Sequence, residues 1–102
     1  MTIAVLTPER EIFKGAITSV KVPGTLGEFQ VLNNHAPIVS ALENGKIEIV
    51  TAEGGFNYFD AATKEKKSGT AAGTKITFQI EGGFIEVINN EIALLVQGVS
   101  AL

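Results

Sequence analysis

The stretch from Gly24 to Leu42, GTLGEFQVLNNHAPIVSAL, gathers the residues best suited to chemistry: the single histidine, His35, and an acid, Glu28, set between Gly27 and Phe29. An imidazole and a carboxylate can share acid–base work only if partners converge on them. Asp60 is the only aspartate, and the glutamates are scattered over turns and solvent-facing strand positions, so no carboxylate pair is indicated. His35 has no second His and no Cys with which to hold a metal, and no nucleophile within its own motif. The amides of Gly24 to Gly27 could cradle an anion, but no Gly-Lys-Ser/Thr follows and no helix begins there. Gly45-Lys46 opens a strand, which is again the wrong setting for a phosphate loop. The expectation is therefore no catalytic residue, no metal, no cofactor and no tight ATP binding, with His35 stabilising a turn or serving an interface.

The same stretch predicts its own local structure. Pro23-Gly24 through Gly27 reads as a tight turn, Glu28 to Leu32 as a short strand, Asn33-Asn34 as a second turn, and the residues after Pro37 as an apolar run.

The elements around it are strands. Thr2 to Leu6 is apolar and β-branched and stops at Thr7-Pro8, since proline removes a ladder donor. Glu11 to Lys14 reads as a brief strand ended by Gly15. In Ala16 to Val22 the alternation puts Ala16, Thr18, Val20 and Val22 on one face and Ile17, Ser19 and Lys21 on the other. Gly45 to Val50 sets Ile47 and Ile49 against Lys46 and Glu48; Ile76, Phe78 and Ile80 face away from Thr77 and Gln79; Ile85 and Val87 oppose Glu86. Asn89-Asn90 separates two apolar runs with the spacing of a two-residue hairpin, and Ile92 to Val96, apolar on both faces, predicts a central strand. Every period is two, none 3.6. The expected fold is all-β, a flattened antiparallel sandwich or barrel of about ten short strands in a single domain over residues 1–102.

Two further features stand out. Glu53-Gly54-Gly55-Phe56 recurs as Glu81-Gly82-Gly83-Phe84, and the loose match of the flanks favours two hairpin turns of the same chemistry over a duplication. Between Phe59 and Lys75 lies DAATKEKKSGTAAGT, polar and rich in small residues, which predicts an elongated hairpin or mobile loop within residues 52–79. Its Lys64, Lys66 and Lys67 suit a solvated loop better than a docking site for an acidic partner.

Composition narrows the function classes. A chain of 102 residues has length for one core, burying roughly 65% of its unfolded surface. A net charge of −3 with 8 basic residues leaves no broad cationic face, so nucleic-acid binding is not expected. Without cysteine there is neither disulfide nor thiolate chemistry. No apolar segment approaches the ~20 residues of a membrane span, and the N-terminus lacks a signal-peptide layout, so direct membrane insertion is not expected.

Four blocks in order give the chain a family resemblance: IAVLTPEREIFKG (Ile3 to Gly15), Pro-Gly-x-x-Gly-Glu-Phe leading to His-Ala-Pro-Ile, ENGKIEI (Glu43 to Ile49), and GGFIEVINNEIALLVQGV (Gly82 to Val99). Together they resemble the epsilon subunit of the rotary F-type ATP synthase, over most of the chain except Ala52 to Gln79, an interval the usual subunit crosses in far fewer residues. The resemblance implies a β-sandwich at the foot of the central stalk. It implies contact with the gamma subunit and the membrane c-ring, at the cytoplasmic face of the bacterial inner membrane and peripheral to it, and a non-catalytic role that couples proton flow to ATP synthesis. By position in the motif, Gly27, Glu28 and Phe29 match the acid-bearing turn offered to the c-ring, and His35, Ala36 and Pro37 match the adjacent rotor-facing corner. Gln30 stands where the family has Gly, and Asn33-Asn34 replaces a Pro-Gly turn. The usual bacterial subunit continues into a C-terminal helical hairpin, which in some members binds ATP, whereas this sequence ends at Leu102. A stand-alone β-sandwich binding a small ligand or peptide along a strand edge is the other reading left open.

Overall fold

The computed structural model describes residues 1–101. Nine strands follow one another: β1 (Thr2–Leu6), β2 (Glu11–Gly24), β3 (Gly27–Leu32), β4 (Ile38–Leu42), β5 (Gly45–Asp60), β6 (Glu65–Gly69), β7 (Lys75–Ile80), β8 (Gly82–Ile88) and β9 (Glu91–Gln97). Among the described residues there is no helix. The all-β sandwich is as the period-two pattern dictates.

Two strands, β2 with 14 residues and β5 with 16, are long enough to serve both layers. The first half of β2 pairs with β1, and its second half pairs with β3 along the same edge. On its other edge runs β5, whose own far edge carries β7 at Gly45–Val50 and β6 at Phe56–Asp60. From β1 the sheet continues through β9 and β8 to β4, which returns to β2 at the Gly24↔Leu42 pair. Long strands can pass between layers only by bending, and a β-bulge supplies the bend. The β2–β5 register shifts between Gly15 and Ile17 and again between Ile17 and Ser19, with Ala52 to Gly55 thrown out of the ladder on the β5 side. The resulting body is flattened, 32 × 27 × 20 Å.

These bulges correct three expectations. Gly15 lies inside β2 and does not end a strand, so Glu11 to Lys14 and Ala16 to Val22 run on as one, and nine strands stand among the described residues, in keeping with the about ten expected. Ile17 is buried and Thr18 exposed, the reverse of the simple alternation. Thr18 is the extra residue between Ile17↔Thr51 and Ser19↔Val50, so the side-chain phase flips there and Val20 and Val22 still reach the core. Lastly, the repeated Glu-Gly-Gly-Phe marks no pair of hairpin turns. Its first copy is the β5 bulge and its second is the corner where the chain leaves β7 for β8, with Phe56 buried and Phe84 exposed.

Other expectations hold. Asn89 and Asn90 both take left-handed φ, 51° and 62°, and close the β8–β9 hairpin in two residues. β9 is central, between β8 and β1, although its partnership with β1 is parallel, the one departure from an antiparallel arrangement among the strand pairs of the described residues. Residues 60–69 form the expected hairpin, turning at Lys64 (φ 59°). The loop that follows is fastened by buried Thr51, whose hydroxyl donates to Ala71 O (2.8 Å) and accepts from the Thr74 amide (2.9 Å).

The core lies between the layers and draws on β1, β2, β5, β8 and β9 above all. Val5, Phe13, Val20, Ile49, Ile85 and Leu94 are completely buried. At roughly 1.5–3 kcal/mol per buried large aliphatic or aromatic side chain, these residues outweigh any surface ion pair.

Candidate partner-docking surfaces

The turn between β2 and β3 is built by two glycines with different duties. Gly27 has φ +127°, which an L side chain rarely adopts, while a Cβ there would meet nothing within 4 Å. At Gly24 the limit is space: a Cβ would lie 2.7 Å from Phe29 Cε1. The ring of Phe29 therefore lies against Gly24, half-buried and packed on the core, and anchors the base of the turn. Thr25 and Leu26 form the tip, with Leu26 fully exposed. Glu28, paired with Pro23 across the ladder, projects into solvent one residue beyond Gly27.

The corner that follows β3 is made differently. The His35 amide donates to Leu32 O (3.2 Å), and its ring Nδ1 lies 2.7 Å from Ala36 O. Asn34 adopts φ 63°, and its backbone amide donates to Asn90 Oδ1 at 2.6 Å while Asn90 Nδ2 donates back to Asn34 Oδ1 at 2.9 Å. Ala36 and Pro37 are exposed and His35 is half-buried.

Sequence adjacency suggests one patch made of tip and corner, but the structure separates them. Gly27 sits opposite Gly24, and Leu32 sits opposite Ser19. Five residue steps of strand at about 3.3 Å each put roughly 17 Å between the two ends of β3. Glu28 belongs to one end of the sandwich and His35 to the other.

A third surface is announced by no motif. The outer face of β1-β9-β8-β4 carries Leu6, Leu95, Phe84 and Ala41 in one row, aligned by the pairs Leu6↔Leu95, Phe84↔Leu95 and Ala41↔Phe84. The next row holds Ala4, Ala93, Glu86 and Val39. Phe84 is 58% exposed, Leu95 52% and Val39 72%. A contiguous apolar row on a sheet face differs from scattered exposed leucines, because water gains by its removal as a unit. A signal for it does exist in the sequence: Phe84 and Ile88 share the phase of Glu86, and Leu95 shares that of Glu91 and Gln97, so apolar side chains occupy the polar phase. The corner adjoins this face, because Ile38 and Val39 start β4 beside Val87 and Glu86.

The charged groups serve structure. Lys67 Nζ lies 2.8 Å from Asp60 Oδ2; this bond, with the Ala62 amide on Oδ1, holds the Asp60 carboxyl below its ordinary pKa, and the same bond to Asp60 holds Lys67 above its own. Of the three lysines in this hairpin, Lys67 is thus engaged, while Lys64 and Lys66 face solvent. Glu48 bridges Lys75 (3.1 Å) and Lys21 (3.7 Å), and the hydrogen bond from Lys75 is the main cause of its lowered pKa. Among the described residues no three His, Asp or Glu side chains gather as metal ligands.

Comparison with known proteins gives a consistent result. Residues 1–63 match the family described as ATP synthase, Delta/Epsilon chain, beta-sandwich domain. The ATP synthase epsilon chain of Chlorobaculum tepidum is 36% identical over 99 residues, covering 97% of this chain and 91% of the relative. A chain of the Euglena gracilis mitochondrial ATP synthase superposes with a TM-score of 0.69 at 20% identity, over 95% of this chain and 50% of its own length. One from the central stalk and c-ring of the Tetrahymena thermophila enzyme gives 0.68 at 18% identity, over 99% of this chain and 66% of its own. At these identities the two structures share the fold. The relative and both structures cover too much of the chain to leave out Ala52 to Gln79, so that interval does not break the resemblance.

Proposed function

We propose that this chain, which belongs to the ATP synthase delta/epsilon β-sandwich family, is a non-catalytic central-stalk subunit of a bacterial ATP synthase, acting as a single domain over residues 1–102. It docks the gamma subunit and the c-ring and couples proton translocation to ATP synthesis, peripheral to the cytoplasmic face of the inner membrane. The observation that carries this reading is the apolar row Leu6–Leu95–Phe84–Ala41 on a sheet face that no element among the described residues covers. That face, continued at its edge by His35, Ala36 and Pro37, is the gamma-docking surface. The tip of Gly27, Glu28 and Phe29, at the other end of β3, reaches the c-ring.

The division suits a rotor. A sheet packed on both sides of a dense core deforms little, so force applied at the tip is delivered to the opposite surface. Catalysis is carried out elsewhere in the complex, and this chain supplies a rigid link.

The test is a pull-down of gamma with the unsubstituted chain and with Phe84→Glu and Leu95→Glu. Both positions are more than half exposed, so the fold survives, while buried anchors at an interface cost about 2 kcal/mol or more when lost. Capture of gamma by the unsubstituted chain and loss of capture by the folded variants supports the reading. Equal capture by all three removes the apolar face from it, and no capture by any removes gamma docking.

A further inference from the structure

We propose that Asn90 is a positioning residue for the docking corner, holding Asn34, and through it His35 to Pro37, in the conformation that meets gamma. The inference rests on the reading of the corner as part of the gamma-docking surface. It begins from a reciprocal clasp between two turns 56 positions apart, in which both ends of one carboxamide are used: Asn90 Oδ1 accepts from the Asn34 amide and Asn90 Nδ2 donates to Asn34 Oδ1. The main-chain oxygen of Asn90 also accepts from the Thr2 amide at 3.0 Å. One residue therefore knits the start of β1, the β8–β9 hairpin and the β3–β4 corner.

The corner needs such support. Residues 33 to 37 lie between β3 and β4 and take part in no strand ladder, and Asn34 holds a left-handed φ that a non-glycine residue adopts at some cost. Asn is the side chain that both tolerates that backbone and offers a donor and an acceptor. An Asp at position 90 could still accept from the Asn34 amide but could not donate back. Glycine at position 90 would keep the backbone and delete both bonds, whereas glycine at position 34 would lose only its Oδ1 as acceptor, its main-chain amide still donating to Asn90 Oδ1. Since a carboxamide does not titrate, neither bond of the clasp itself involves a titrating group.

The experiment compares the unsubstituted chain with Asn90→Gly, Asn34→Gly, the double variant and Asn90→Asp, measuring hydrogen exchange at the Asn34 amide, thermal unfolding, and affinity for purified gamma. Asn90→Gly is expected to accelerate exchange at Asn34 and to weaken gamma binding about tenfold, the scale of two modest hydrogen bonds, while the chain stays folded. Asn90→Asp and Asn34→Gly should fall between, since each keeps the bond from the residue-34 amide, and the double variant should bind no worse than Asn90→Gly, because both bonds run through the Asn90 side chain. Unchanged exchange at Asn34 in Asn90→Gly, or faster exchange with unchanged affinity, overturns the role of Asn90 alone. Failure of the unsubstituted chain to bind gamma overturns the docking reading, and this role with it. Should Asn90→Gly fail to fold, Asn90→Asp and Asn34→Gly, each of which removes the Asn90 Nδ2 bond alone, carry the comparison at a smaller expected loss, and unchanged affinity in both overturns the role.

Discussion

Gly15 of β2 and Phe56 of β5 face each other across the ladder so closely that a methyl group on Gly15 would lie 2.5 Å from Phe56 Cβ and 2.8 Å from the Gly55 carbonyl oxygen. The obstacle is largely backbone, so it cannot rotate away. Phe56 is in turn fixed by stacking on Phe13, with ring centroids 5.7 Å apart and planes 15° from parallel. Gly15→Ala should therefore destabilise the fold by about 1–3 kcal/mol, the usual cost of overpacking, although alanine is the better strand residue in isolation. Urea unfolding measures it, and a loss under about 0.5 kcal/mol, the range of a neutral surface change, would show that the β2–β5 crossing can spread.

That glycine also marks where sequence reading stops. From Gly15 in a run of alternating residues one infers a strand end, since glycine is weak in strands; its actual reason, the approach of a residue 41 positions later, is not local. The bulge at Thr18 has the same character. A single extra residue inverts the phase, and nothing between Ala16 and Val22 announces it, because Ile17 and Val20 are apolar in either phase. Neighbouring residues do decide the rest: Ile47 against Lys46, the Asn89-Asn90 turn, the glycine turn before Glu28, the polar hairpin after Phe59. The separation of Glu28 from His35 is legible too, as a strand of known rise between them. The apolar outer face escapes a local reading because Phe84 and Leu95 pass for core residues until their phase partners Glu86 and Glu91 put them outside.

The Asp60–Lys67 pair ties the 60–69 hairpin shut, and its pH dependence has a definite sign. Asp60 has a lowered pKa, so its contribution is present above the ordinary aspartate value of about 3.9 and is lost as pH falls through the lowered one. Lys67 is raised, so its share is present below about 10.4 and is lost as pH climbs through the raised value. The hairpin should thus be insensitive to pH across the neutral range and loosen in acid. Carbon NMR titration of the Asp60 carboxyl should give a midpoint below that of an exposed aspartate, moving upward in Lys67→Met. A midpoint indifferent to that change would assign the shift to the Ala62 amide instead.

Nucleotide handling is a separate matter. The glycine turn at Gly24 to Gly27 leads into strand β3 and not into a helix, and the lysines of the 60–69 hairpin flank no phosphate loop. The purified chain should neither hydrolyse ATP nor bind it tightly. Calorimetry reporting micromolar affinity, about −8 kcal/mol, would require a site made from surfaces with no such geometry.

Glu28 offers the sharpest test of the tip. Its side chain is exposed and Gly27, not the acid, sets the turn, so Glu28→Ala should alter stability by no more than about 0.5 kcal/mol. If the tip meets the c-ring, the carboxylate faces a loop able to donate to it, and removing the charge deletes an exposed pair contributing only about 0.2 to 1 kcal/mol. Truncation alone then gives a mild defect. Reversal goes further, because Glu28→Lys sets a like charge against any basic partner and lengthens the side chain at a tip whose Leu26 is already fully exposed. In membranes reconstituted with the full synthase, Glu28→Lys should lower ATP-driven proton pumping more than it lowers ATP hydrolysis by the detached soluble head, since the substitution loosens the chain from the ring and leaves its hold on gamma intact. The Phe84→Glu variant should do the opposite and fail at assembly with gamma, because its row belongs to the face proposed to dock gamma. Pumping and coupling equal to the unsubstituted enzyme in a folded, incorporated Glu28→Lys chain would remove the c-ring from the account of this residue and leave the tip as an exposed turn.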